Sequence, residues 1–194
     1  MAEKLALALG YECLSRDVVL EASEYSDMPE AKLVRAIHDA PSILERLTRS
    51  KVRYIASTRF AIAKHVQKDN VVYHGLAGQF FLQGVPHVLK VRIIASLEDR
   101  IEEEMRRENI SAEEARRILR KDDEERRRWS LALYGIDTWD SSLYDMVLHI
   151  KTMTVEDAVG TIRRALELPG FQTTPESQAI LDKLVLRAQA LATV

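Results

Sequence analysis

At 194 residues, with 46% apolar side chains, the chain has the length of one domain, or one domain with a small appendage, and enough apolar surface for a sizeable core. A formal charge of −2 despite 30% charged residues excludes a strong overall field for nucleic acid or an anionic membrane. The single Cys13 excludes an internal disulfide and a cysteine metal cluster, and no apolar run approaches the roughly 20 residues that span a bilayer, so the composition points to the cytoplasm.

In chain order, the first ten residues read as the middle of a helix, with Leu5, Ala8 and Leu9 as an apolar stripe and no Ser, Thr, Asp or Asn ahead of it to cap the free amides. "YECLS" (11–15) is the first strand. A helical pattern then fills 16–69 as an insertion, broken at Asp27 and Pro29 and again at Pro41. "NVVYHG" (70–75) and "HVLKVRIIA" (87–95), rich in Val and Ile, predict centrally buried strands. Ser96 and Ser111 each stand three residues before an acid, the spacing of a capping box, so helices start near Leu97 and Ala112. "DMVLHI" (145–150) is the last strand, followed by a Thr154–Asp157 box and a helix to about Leu168. "LPGF" breaks the chain, and Thr174 with Pro175 opens a terminal helix whose Leu181, Leu184, Val185 and Ala188 share one face. Strands alternating with long helices predict an α/β layer fold with a mostly parallel sheet.

The run from Met105 to Leu131 gathers Arg and Lys into two groups with acids between them. Such runs on helices form solvated faces laced with i,i+4 pairs. Arg126, Arg127 and Arg128 are consecutive, however, and so point three ways around a helix, which predicts that some turn inward toward Trp129 and seek a carboxylate or a phosphate.

The order of these stretches, from "VVYHG" and "VLKVRIIA" through "LEDRIEEEMRRENIS" and "KDDEERRRWSLALYGID" to "DMVLHIKTMTVEDAVGTI", resembles the second half of a P-loop nucleoside monophosphate kinase, most of all the cytidylate kinase-like family. "LGYECLSRDVVLEAS" is similar to that family's segment after its first helix. Lys121, Asp122, Glu125 and Arg128 fall on the family's basic-Asp-x-x-Asp-x-x-Arg motif, with Glu125 in place of the shorter Asp. The resemblance implies a three-layer α/β P-loop kinase-like fold with a parallel sheet, a helical acceptor-binding insertion (16–69) and an Arg-rich lid (97–133). These form a domain of 1–170, with a helical extension at 171–194. It implies transfer of a phosphoryl group from ATP, with Mg²⁺, to a nucleoside monophosphate. Arg106, Arg107, Arg126 and Arg128 would neutralise the transferring group, while Lys121, Asp122 and Glu125 orient lid and acceptor. Ser15, Arg16, Arg35, His74 and Gly75 would line the acceptor site, with His38 and Asp39 on the same insertion.

Two departures shape the expectations. Cytidylate kinases carry Gly-Arg-Asp where this chain has Gly75, Leu76 and Ala77, which leaves the acceptor open between CMP and a similar molecule. None of the seven glycines has the spacing of a G-x-x-x-x-G-K-[ST] loop, so no residue here is expected to cradle ATP phosphates or ligate Mg²⁺. The chain is therefore expected to be nearly inert as a kinase, and the DNA upstream of Met1 tells whether its start was set too late. With the family's first strand missing, "NVVYHG" and "HVLKVRIIA" are expected to pair directly, or the 171–194 extension of a second copy fills the gap in a homodimer. The alternative function is a non-catalytic nucleotide- or phosphate-binding, or interaction, protein. Polynucleotide binding is disfavoured because acids cancel the basic run. Trp129 and Trp139 are expected to pack in the core or at a hinge, and His65, His87 and His149 show no metal-binding spacing.

Overall fold

The computed structural model describes residues 1–15, 18, 48–75 and 78–193. The chain divides into two compact units, Met1–Leu89 with Val159–Val194, and Lys90–Ala158.

The first unit opens with α1 (Ala2–Leu9), whose N-cap Met1 makes no side-chain cap bond, as the lack of a capping residue predicts. Its buried residues are Leu5 and Ala6; Ala8 is exposed, so the apolar stripe is rotated from the expected one. Gly10 takes the left-handed conformation, φ 70°, that ends the helix and that a side chain would strain. The chain enters β1 (Glu12–Leu14), then, past the insertion, α2 (Thr48–Val66) and β2 (Val71–Tyr73). Asp69 and Asn70, both at left-handed φ, make the tight turn from α2 to β2. β1 and β2 pair in parallel with Glu12 opposite Val71, Cys13 opposite Val72 and Leu14 opposite Tyr73. A short helix, α3 (Gly78–Phe81), follows β2 and buries Phe80 and Phe81, with Leu82 and Val85 just beyond.

The second unit holds β3 (Val91–Ile94), α4 (Leu97–Glu108), α5 (Ala112–Tyr134) and β4 (Met146–His149), and α6 (Val155–Leu166) begins in it. β3 and β4 pair in parallel from Val91–Met146 to Ile94–His149, with Lys90 and Asp145 joined at the entry by a 2.9 Å ion pair. Ser96 and Ser111 accept from the amides of Asp99 and Glu114, so α4 and α5 begin where the capping spacing places them. Asn109, left-handed at φ 53°, reverses the chain between them. Thr154 and Asp157 bond reciprocally at the start of α6.

The last helix, α7 (Pro175–Ala192), has the expected Thr174 cap and packs along α2 with Leu181, Val185 and Ala188 buried. Gln67 donates to Asp182 at 2.7 Å, and Thr173 donates to Asp69 at 2.7 Å. The apolar face expected of the terminal helix is thus buried within the same unit.

Parallel pairing is as expected, but the pairs are not. β2's ladder partner is β1 and β3's is β4, so among the described residues "NVVYHG" and "HVLKVRIIA" do not pair directly. Nor are β2 and β3 deeply buried: every residue of β2 is partly exposed, and Ile93 is 40% exposed. Val and Ile content marks a strand but not the number of its covering layers.

Candidate functional site

Parallel pairing of β1 and β2 sets their carboxyl ends side by side. His74 N–H donates to the Leu14 carbonyl at 2.9 Å, which extends the ladder by one bond and places Ser15 next to His74 and Gly75. This edge is where open α/β sheets bind ligands. Gly75 takes φ 155°, open to a residue without Cβ. A Cβ on Gly78 would stand 2.7 and 2.8 Å from ring carbons of Tyr73, so the glycine lets the start of α3 lie close against the side chain of the last residue of β2. Ser15, His74 and Gly75 are brought together; Arg16, Arg35, His38 and Asp39 lie outside the described residues.

The charged residues of α4 and α5 are arranged differently. Arg106 pairs with Glu103, and Arg107 bonds Glu104 at 2.8 Å and Glu108 at 2.8 Å. The Arg107 pKa is raised, first by its bond to Glu108 and then by the charge of Glu104. Arg128 pairs with Glu124, and Lys121 stands 3.7 Å from Glu125, both at i,i+4 spacing. Arg100 binds Asp123 through two parallel bonds of 2.7 and 2.9 Å, and Asp122 adds a field that helps raise the Arg100 pKa. Arg127 donates to Asp137 at 2.8 Å and lies 4.8 Å over the Trp139 ring.

Arg126, Arg127 and Arg128 are all exposed, contrary to the inward turn expected from their sequence. Trp129 faces in, 6% exposed, edge-on to Tyr134 at 5.3 Å. Trp139, expected in the core or at a hinge, is 56% exposed beneath Arg127. Glu124, one helical turn away, pairs with Arg128, and Asp137 pairs with Arg127, so neither needs an interior partner. Arg106 and Arg107 sit in the last turn of α4, whereas Arg126 lies 14 residues into α5, about 21 Å along its axis from Ala112.

Sequence reasoning passed over Arg59, in the middle of α2. Its Cζ lies 5.9 Å from the centroid of the Phe81 ring, and its Nε is buried with no hydrogen-bond partner. The neighbouring hydroxyls of Ser57 and Thr58, 0% and 1% exposed, also lack partners. An unsatisfied buried polar group costs about 1–3 kcal/mol, and the cation over an aromatic ring returns only about 0.5–2 kcal/mol. The signal was in "YIASTRFAIA" (54–63), where Arg59 is the one charge in an otherwise buried-looking run. Among the described residues no group of three or more His, Cys, Asp or Glu is placed to hold a metal ion, and no helix is long and apolar enough to cross a membrane.

The profile of the cytidylate kinase-like family matches residues 1–152. The chain belongs to this family. It is 29% identical over 109 residues to a cytidylate kinase of Methanopyrus kandleri, covering 52% of this chain and 56% of that protein. It is 33% identical over 105 residues to a cytidylate kinase of Methanosarcina acetivorans, covering 53% and 57%. The chain thus spans about half the length of the curated relatives it matches. Among solved structures, it resembles the crystal structure of an uncharacterized protein from Eubacterium ventriosum, with a TM-score of 0.64 and 17% identity over 86% of this chain and 89% of that one. That likeness is one of fold, over most of the chain.

Proposed function

We propose that this chain binds a nucleoside monophosphate, CMP or a similar acceptor, at the carboxyl ends of β1 and β2, and that the activity of its fold is phosphoryl transfer to that acceptor from ATP with Mg²⁺. The observation that carries the reading is the ladder that sets Ser15 beside His74 and Gly75 at a parallel edge, in a chain of the cytidylate kinase-like family. Arg16 and Arg35 join this site on sequence grounds. The region 97–133 serves as the lid, in which Lys121, Asp122 and Glu125 orient lid and acceptor. Arg106, Arg107, Arg126 and Arg128 supply positive charge once the lid exchanges its own carboxylates for phosphate oxygens.

The donor side does not fit. The 194 residues contain no G-x-x-x-x-G-K-[ST] loop, so none of them is assigned to ATP phosphates or to Mg²⁺ and no step is derived through either. This same observation favours a second reading, nucleotide or phosphate binding without turnover. Calorimetry with CMP, UMP and AMP, beside a coupled assay of ADP release, tests both. CMP is expected to bind while turnover by this chain stays far below the roughly 1 to 10³ per second usual for enzymes. Failure of all three nucleotides to bind refutes the acceptor site, and ordinary turnover refutes the absence of a donor site.

A further inference from the structure

Arginine needs an acceptor for its planar fork, and in the segment from α4 to Trp139 the arginines with partners find carboxylates or an aromatic ring beside a carboxylate. Arg59 is different. It is half-buried in the other unit, its Nε is cut off from water, and among the described residues no carboxylate pairs with it. Its ring partner Phe81 is fully buried and closes α3, the single helical turn that starts at Gly78 against the last residue of β2. The guanidinium is therefore held against the last residue of α3, in the same unit as His74 and Gly75. Ser57 and Thr58 bring two further unpartnered hydroxyls to the same turn of α2.

We propose that Arg59 is a phosphate-binding residue, held over Phe81 so that its unpaired N–H groups receive a phosphomonoester dianion. The proposal rests on the acceptor reading for the identity of that ester, the phosphate of a nucleoside monophosphate. Two parallel N–H bonds suit a phosphate face. Among the described residues no carboxylate has to be displaced first.

The test is calorimetry on the full chain with inorganic phosphate, CMP and cytidine, comparing the parent with Arg59→Met and Arg59→Lys. Arg59→Met is expected to lose phosphate binding and to weaken CMP roughly 10- to 100-fold while leaving cytidine unchanged. Arg59→Lys keeps the cation but not the fork, and is expected to weaken CMP at least about fivefold. Equal CMP binding by the parent and Arg59→Met overturns the proposal. Should Arg59→Met fail to fold by circular dichroism, parent-like CMP binding by Arg59→Lys overturns it instead. A parent that binds inorganic phosphate, with loss in Arg59→Met, but binds neither CMP nor cytidine upholds Arg59 and refutes the acceptor reading. A parent that binds none of the three overturns Arg59 as well.

Discussion

Across Lys90–Ala158, Arg100, Arg106, Arg107, Arg127 and Arg128 each meet a carboxylate, four of them near or at the protein surface on the charged helices and one at Asp137. In the unit of Met1–Leu89 and Val159–Val194, Arg59 meets a phenyl ring instead, and α2 and α7 bury Phe60, Ala61, Ile62, Leu181 and Ala188 almost completely. A count of arginines therefore locates positive charge without telling whether it is available. Availability depends on whether an acid lies one turn away, and the apolar run around Arg59 has none.

This contrast should appear first in stability. Leu181→Ala removes a fully buried side chain where α7 packs along α2 and is expected to cost about 2–5 kcal/mol in urea unfolding. A cost under 1 kcal/mol would mean that α7 is only loosely attached. The Arg100–Asp123 pair is bidentate but about one-third exposed on both sides, and a double-mutant cycle is expected to give only about 0.5–1 kcal/mol. A larger coupling would make the charged helices a structural core in their own right. Arg106→Ala and Arg128→Ala, at exposed pairs, are expected to stay within about 0.5 kcal/mol of the parent in the same titration.

The smallest effect is a pH dependence. Bonds from Arg127 and then from the Trp139 amide hold the Asp137 carboxyl below its ordinary value. Its folded pKa is depressed, so its contribution is present above the unfolded value of about 3.9 and is lost as pH falls through the folded one. Asp137→Asn should remove a small slope in stability below about pH 4 and change nothing at neutral pH. Trp139 fluorescence reports it directly, and an identical acid limb in both proteins contradicts the assignment.

Helix starts were legible because Ser96, Ser111, Thr154 and Thr174 act through bonds three residues long, which sequence spacing states outright. The strands were legible in place, and β2 and β3 in parallel sense, but their partners were not, because pairing is set by chain segments far apart in sequence. The placement of Ser15, His74 and Gly75 at strand ends was legible from the strands that precede them. The inward turn expected of Arg126, Arg127 and Arg128 failed because Glu124 and Asp137 satisfy two of them locally, as the abundance of acids in that run allowed. Arg59 escaped notice because its partner Phe81 lies 22 residues on, across β2.

The most direct test follows each arginine Nε–Hε signal by ¹⁵N-edited magnetic resonance while inorganic phosphate is added to the full chain. Saturable movement of the Arg59 signal, at lower phosphate than any movement of Arg106, Arg107 and Arg128, is the predicted result. Movement confined to those three, with Arg59 silent, would contradict it.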